Sequence, residues 1–164
     1  MTIFCDIDGT LFDNHQRKDL IPEDRSKTEN WAEFNAEHVN DTPITHRIQM
    51  LSVMAIHHKV VYLTGRTETE FKTTKEQLAS FGAPIGYLSM RGVDDHRSSA
   101  EVKLDKIDYW LRICRIDDGH FTLIDDDLSV CMEVAEKYPY AKIIKVPSRC
   151  CAYLAINPEA ENND

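Results

Sequence analysis

The sequence contains no Cys-x-x-Cys pair, although it carries five cysteines, Cys5, Cys114, Cys131, Cys150 and Cys151. That spacing excludes the common zinc sites and paired-thiol redox motifs. An odd count, with no signal-peptide pattern, points to a reducing compartment, so a cytoplasmic location is expected. No apolar run is long enough to cross a bilayer, so no membrane association is expected. No Gly-x-x-x-x-Gly-Lys-[Ser/Thr] loop occurs, so no P-loop kinase unit is expected. Positive charge is scarce as well: 19 Lys and Arg stand against 28 Asp and Glu, for a formal net charge of -9. This balance opposes sequence-blind binding along a long nucleic acid, which runs on basic surface. A small basic pocket that grips one phosphate remains compatible with it. Repeats and linkers are also missing, and 164 residues suit one domain with a sizeable core.

What is present begins at the start of the chain. Ile3-Phe4-Cys5-Asp6-Ile7-Asp8-Gly9-Thr10 is a short apolar run ending in two carboxylates. Its β-forming residues predict a buried strand. Side chains at i and i+2 share a strand face, so Asp6 and Asp8 can aim at one point. Gly9 permits a sharp turn. Two close carboxylates repel unless a cation or proton sits between them. A hard cation such as Mg²⁺ prefers such oxygen ligands. The competing reading is a plain acidic turn, since Asp and Gly are common there. Cys5 is read as a buried strand residue rather than a nucleophile.

Residues 11–41 are polar and broken, and predict a small insert or lid. Within it Ser26-x-x-Glu29 matches a capping box, and Trp31, Phe34 and His38 fall on one helical face. Trp31 reads as a packing anchor before a base-stacking platform. Thr42-Pro43 predicts a helix start, followed by Ile44, Ile48, Leu51 and Ala55 at helical spacing and closed by His57-His58-Lys59. A second strand, Val60–Leu63, runs into Thr64-Gly65-Arg66. Thr67-x-x-Glu70 predicts a capped helix through Phe71, Leu78 and Phe81, ended by Gly82. Ile85–Leu88 is a third strand with Ser89-Met90-Arg91 at its exit, and a charged loop runs to Arg97. Ser98-x-x-Glu101 opens a helix that turns Val102, Ile107, Trp110 and Ile113 inward, with Lys103 near its start. A turn is expected at Asp117-Asp118-Gly119. Phe121–Ile124 is a fourth strand ending in Asp125-Asp126-Asp127. A helix through Val130, Val134 and Tyr138 and a fifth strand, Ile143–Val146, follow. Pro158 to Asp164 reads as a loose acidic tail. This alternation predicts an α/β fold, with a mostly parallel five-stranded sheet covered on both faces over 1–150 and a tail over 151–164.

Three strands therefore end in chemically useful groups. They bring Asp6 and Asp8, then Thr64 with Gly65 and Arg66, then Asp125 and Asp126, while Lys103 comes from an intervening helix. A carboxylate cluster for a divalent cation beside a hydroxyl and cations for an anion is the inventory of phosphoryl transfer. Taken singly, Thr64 could be a helix-start residue, Lys103 a solvated lysine and Asp125–Asp127 a turn with a cap.

The ordered set resembles the four motifs of the haloacid-dehalogenase-like (HAD) phosphatases over roughly residues 1–147. Met90-Arg91-Gly92-Val93-Asp94-Asp95-His96-Arg97, followed by Glu101-Val102-Lys103, looks like the 3′-phosphatase branch of phage polynucleotide kinase/phosphatases. The resemblance implies a HAD-like (Rossmann-like) sheet of order 3-2-1-4-5. It implies Asp6 as nucleophile and Asp8 as the acid that protonates the leaving oxygen and later activates water. Thr10, Thr64, Gly65, Arg66, Arg91, Arg97 and Lys103 would bind phosphate or substrate. Asp6, Asp8 through its carbonyl, Asp125 and Asp126 would hold Mg²⁺. Two residues depart from that branch: Ser99 stands where an acid is usual, and Asp127 where Arg is usual. The implied activity is Mg²⁺-dependent removal of a 3′-phosphate from nucleic acid ends or nucleotides, with a separate kinase as possible partner. A 5′-nucleotidase and a non-catalytic nucleotide-binding module are the alternatives.

Overall fold

The structure is a computed structural model that describes residues 1–115 and 120–148. The turn expected at Asp117-Asp118-Gly119, the tail over 151–164, and Cys150 and Cys151 lie outside the described residues. Strand β1 (Thr2–Asp6) leads to the two-residue strand β2 (Phe12–Asp13). The insert follows as 3-10 turns at His15–Leu20, Thr28–Trp31 and Glu37–Asn40 around the short helix α1 (Ala32–Ala36). Then come β3 (Thr42–Pro43), α2 (Thr45–Ala55), β4 (Lys59–Thr67), α3 (Phe71–Ser80) and β5 (Tyr87–Arg91). The chain continues through α4 (Ser99–Cys114), β6 (Phe121–Asp125), α5 (Leu128–Lys137) and β7 (Lys142–Lys145).

The five long strands form one parallel sheet in the order β5-β4-β1-β6-β7. Counted among themselves, they run 3-2-1-4-5, as expected. The order reverses between β1 and β6, which opens a crevice at their carboxyl ends. Both strands are buried along their whole length, so alternate residues feed two cores. Ile3, Cys5 and Ile7 pack with Ile48, Leu51 and Leu78 under α2 and α3. Phe4 packs on the other side with Ile107, Leu123, Val130 and Val134 under α4 and α5. The two cores hold the strand ends against each other, and Asp6 and Asp125 lie there.

Of the three expected capping boxes, only Ser98-x-x-Glu101 forms, with both reciprocal bonds present. Ser26 turns back onto Asp24 instead, its N and Oγ donating to Oδ1 at 3.0 and 2.6 Å. The Thr67 hydroxyl pairs with Thr69 Oγ1 at 2.6 Å, and a 3-10 turn at Glu68–Glu70 precedes α3. Thr42-Pro43 does not start a helix. It pairs antiparallel with Phe12-Asp13, and Ile44 N donates to Leu11 O at 2.8 Å, which delays α2 to Thr45. Lys59 belongs to β4, opposite Thr2, and not to the preceding helix end. The third sheet strand starts at Tyr87 rather than Ile85. Ile85 is fully exposed, and Gly86 passes so close to β4 that a Cβ there would lie 2.8 Å from Val60 O. Ile113 and Phe71 face outward, Phe81 is partly exposed with its ring 5.7 Å from that of Phe12, and Leu111 takes the inward place on α4. Gly82 ends α3 with a positive φ of 72°, the conformation that glycine adopts without a Cβ clash.

Candidate active site

The floor of the crevice is built from β1, β6 and the first turns of α4. Asp6 ends β1, Asp125 ends β6, and Asp126 follows it; all three are buried. The capping box fixes the start of α4, so Lys103 projects from it under these strand ends. Lys103 Nζ donates to Asp6 Oδ1 and to Asp125 Oδ2, each at 2.7 Å. Asp125 Oδ1 accepts from Asp127 N at 3.0 Å. Asp127 itself caps α5 by accepting from Ser129 N at 2.8 Å. Asp126 is held from two sides, by Thr10 Oγ1 at 3.1 Å and Ser148 Oγ at 2.7 Å. Thr10 thus faces a carboxylate here.

Three carboxylates around one ammonium leave the cluster short of positive charge. Burial pushes the Asp6 carboxyl well above its usual range, Lys103 pulls against it, and Asp125 and Asp126 push it further. Burial and then Asp125 push Asp126 up to about 6. Burial opposes charge on Lys103, but Asp125 and Asp6 outweigh it and hold the ammonium firmly protonated. Asp6 Oδ2 is buried with no hydrogen-bond partner among the described residues. One oxygen each from Asp6, Asp125 and Asp126 lies within 4.8 Å of the others. An orphaned carboxylate oxygen among hard oxygen donors fits a divalent cation such as Mg²⁺.

Asp8 is turned away from that cluster. Arg66 grips it through Nε at 3.2 and 3.0 Å and through Nη2 at 2.9 Å. Arg17 Nη2 adds a bond of 2.5 Å, and Thr64 Oγ1 donates to Asp8 Oδ2 at 3.3 Å. Burial alone raises the Asp8 carboxyl, but Arg66 and then Arg17 outweigh it and hold it well below the usual range. The clamp exists because β4 slips register against β5 between Leu63 and Thr67. Thr64, Gly65 and Arg66 thereby turn toward the crevice. Arg66 is fully buried, and its Nη1 donates to Thr74 Oγ1 and Gln77 Oε1 at 3.2 and 2.8 Å. It holds Asp8 rather than reaching freely into the cavity. Gly65 borders open space.

Arg91 and Arg97 stand at the rim. Arg97 forks onto Asp95 at 2.9 and 2.7 Å and reaches Asp105 at 3.2 Å. Arg91 Nη1 donates to the carbonyls of Asp95 and Arg97 at 2.9 and 2.6 Å. The two arginines therefore shape the 92–97 loop. That loop meets the insert through Thr28, whose N donates to His96 Nδ1 and whose Oγ1 donates to Asp95 O. A cavity of about 730 Å³ lies beneath, with Asp6, Asp8 and Lys103 in its lining.

Arg17 from the insert and Arg47 from α2, both missed by sequence reasoning, complete the site. Arg17 is buried, donates to both oxygens of Asp41 at 2.9 and 2.6 Å and to Phe34 O at 2.6 Å, and sits 4.1 Å above the Phe34 ring. Arg47 donates to Gly9 O, Thr10 O and Pro147 O at 2.9, 3.2 and 2.8 Å, which ties the loop after β1 to the chain after β7. Arg17 sits in a polar stretch and Arg47 on an amphipathic helix, and neither carries a signal in the sequence that marks it for the site.

The family profile described as the polynucleotide kinase PNKP phosphatase domain matches residues 1–118, which hold Asp6, Asp8, Thr64 and Lys103. The chain belongs to this family. Two solved structures share its HAD-like fold. One, of the Pnkp1/Rnl/Hen1 RNA repair complex, has a TM-score of 0.63 at 22% identity, covering 88% of this chain and 42% of its own. The other, of the Pnkp1/Rnl/Hen1 complex, has a TM-score of 0.62 at 22% identity, covering 88% and 45%. This chain thus spans less than half the length of these two matched chains. No curated protein matches it. Among the described residues, no helix is long and apolar enough to cross a membrane.

Proposed function

We propose that this HAD-type phosphatase domain removes the 3′-phosphate from a nucleic acid end with Mg²⁺ as cofactor and Asp6 as nucleophile. The carrying observation is the unpartnered Asp6 Oδ2 at the cavity floor, beside Lys103 and opposite a clamped Asp8. Asp6 attacks phosphorus, and the P–O bond to the sugar oxygen breaks. The phosphoryl group passes to Asp6 as an acyl phosphate, and water then cleaves that phosphate, splitting a hard displacement into two easier ones. Lys103 neutralises phosphoryl charge as it builds. Asp6, Asp125 and Asp126, with the Asp8 carbonyl, would hold Mg²⁺, which supplies Lewis-acid stabilisation of the phosphoryl oxygens. Asp8 gives its proton to the leaving oxygen in the first half and takes one from water in the second. The Arg66 and Arg17 clamp favours its ionised form in the free protein, so Asp8 takes up a proton, from solvent or from the substrate phosphate, before it gives one to the leaving oxygen.

The 3′ end is favoured by the family, since a polynucleotide kinase phosphatase domain acts beside end chemistry, and by the likeness to chains of an RNA repair complex. A kinase on another chain, and association with other repair proteins, belong to the same proposal. The test is a panel of 3′-phosphorylated oligonucleotide, 3′-mononucleotide, 5′-mononucleotide and sugar phosphate, each with Mg²⁺ and with EDTA. The oligonucleotide is expected to be the best substrate, with no turnover under EDTA. Faster turnover of 5′-mononucleotides would overturn the 3′-end assignment in favour of a nucleotidase.

A further inference from the structure

The cavity is far larger than one phosphoryl group fills, and its outer wall carries groups that phosphate chemistry does not use. Trp31 is half-buried there on the insert. Its ring is fixed edge-on against Phe34, with centroids 5.4 Å apart and planes at 86°. Its Nε1 donates to Arg25 O at 3.3 Å. Phe34 is in turn pinned under Arg17, so a stack of Arg17, Phe34 and Trp31 runs from the clamp on Asp8 to the cavity wall. From α5, Leu128 and Met132 line the same cavity with large exposed apolar surface, 49% and 63% respectively. Arg25 also lines it. Unlike Arg17, Arg66, Arg91 and Arg97, the Arg25 side chain makes no hydrogen bond or ion pair among the described residues.

We propose that Trp31 and Arg25 form a nucleotide subsite, in which the Trp31 ring stacks on the base of the terminal nucleotide and Arg25 binds the adjoining phosphodiester. This rests on the phosphatase reading above and specifies its substrate as a strand end carrying at least one diester. The chemistry is complementary on each count. A rigid indole in a cavity that Leu128 and Met132 also line offers an apolar surface, and every base presents a π face to it. An uncommitted guanidinium beside the slot suits a phosphate monoanion. Recognition by stacking does not read sequence, which suits an enzyme for ends in general. It also reconciles an acidic chain with a nucleic acid substrate, because one diester contact replaces a basic track.

The experiment uses the Asp6→Asn, Trp110→Phe double variant, which keeps Trp31 as the only tryptophan of the two in the chain. Its fluorescence is titrated with a 3′-phosphorylated trinucleotide and with the same molecule lacking the terminal base. Wild-type protein is assayed on both for turnover. The complete trinucleotide is expected to quench Trp31, and the abasic one to bind on the order of tenfold to a hundredfold more weakly, the scale of one base–aromatic stack. A Trp31→Ala substitution removes that difference in KM, and Trp31→Phe restores it. Arg25→Gln lowers the salt slope of trinucleotide binding by about 0.7, the share of one single-strand phosphate. Equal affinity and equal quenching for the two trinucleotides would overturn the subsite while leaving the phosphatase reading intact, as would an unchanged salt slope for Arg25→Gln. Base-dependent quenching without turnover of any phosphomonoester would instead uphold the subsite and overturn the phosphatase reading.

Discussion

Replacing Arg17 by Met tests whether the insert is structurally welded to the clamp on Asp8. Arg17 makes four hydrogen bonds, two of them to Asp41, whose side chain is fully buried. Among the described residues, its removal leaves Asp41 with Arg66, 3.7 Å away, and leaves Asp8 with Arg66 and Thr64. Breaking a buried ion pair from one side costs about 3–5 kcal/mol. For a domain of this size each kcal/mol lowers the melting temperature by about 2–4 °C, which gives a loss of roughly 6–20 °C near pH 8. The pH dependence follows from Asp41. Burial pushes its carboxyl up to about 6, against the pull of Arg17. An acid whose folded pKa exceeds its unfolded value weakens the fold while ionised, and stability returns as pH falls through the folded pKa. Without Arg17 that pKa rises further. Asp41 in the variant then takes up a proton at a pH where the wild-type carboxylate remains charged, and a neutral carboxyl does not need the guanidinium. The stability gap should therefore narrow between pH 8 and pH 5.5, by up to about 1.4 kcal/mol per pH unit. Asp8 stays ionised across this window, because Arg66 remains. Thermal melts of both proteins at several pH values provide the assay. A gap under about 1 kcal/mol at pH 8, or one that widens on acidification, would refute the reasoning.

Mg²⁺ should raise the melting temperature, since a cation that binds only the folded cluster adds about 2.7 kcal/mol at a hundred times its Kd. Asp126→Asn should abolish most of that rise, and the concentration needed should fall as pH increases through 6, where Asp126 loses the proton that the cation must displace; a melting temperature indifferent to Mg²⁺ would remove the cation site. Asp6→Asn should lower turnover by at least about a thousandfold, as expected when a group acting at the reacting atom is lost, and a variant that keeps wild-type turnover would exclude Asp6 as nucleophile. Gly86→Ala should destabilise the fold by about 1–3 kcal/mol through overpacking, because the new Cβ would meet Val60 O at 2.8 Å and the Tyr62 ring at 2.9 Å; a neutral result in denaturant unfolding would mean that the edge of the sheet yields there.

The sheet and the carboxylates at its strand ends were legible in the residues alone. Apolar runs of strand length separated by helical patterns dictate a parallel sheet, and carboxylates at the ends of β1 and β6 fall at its switch point by topology alone. Lys103 was legible for a local reason: Ser98 and Glu101 fix the helix start, and the lysine lies one turn inside it. Asp127 as a cap was legible in the same way. The failures are local motifs that lost to neighbours. Ser26 and Thr67 carry capping-box spacing, but Asp24 and Thr69 take their hydroxyls. Thr42-Pro43 has helix-start chemistry, yet Phe12-Asp13 offers it a strand partner. How Asp6 and Asp8 differ was settled by packing alone. Asp6 and Asp8 stand two residues apart, and the strand pattern alone predicts that they share one target. A register slip in β4 brings Arg66 to Asp8, and the insert brings Arg17 from the other side, while Lys103 takes Asp6. A charge partner is chosen by what packs nearby in space, across separations of 9, 58 and 97 residues. Spacing along the chain carries no record of that choice.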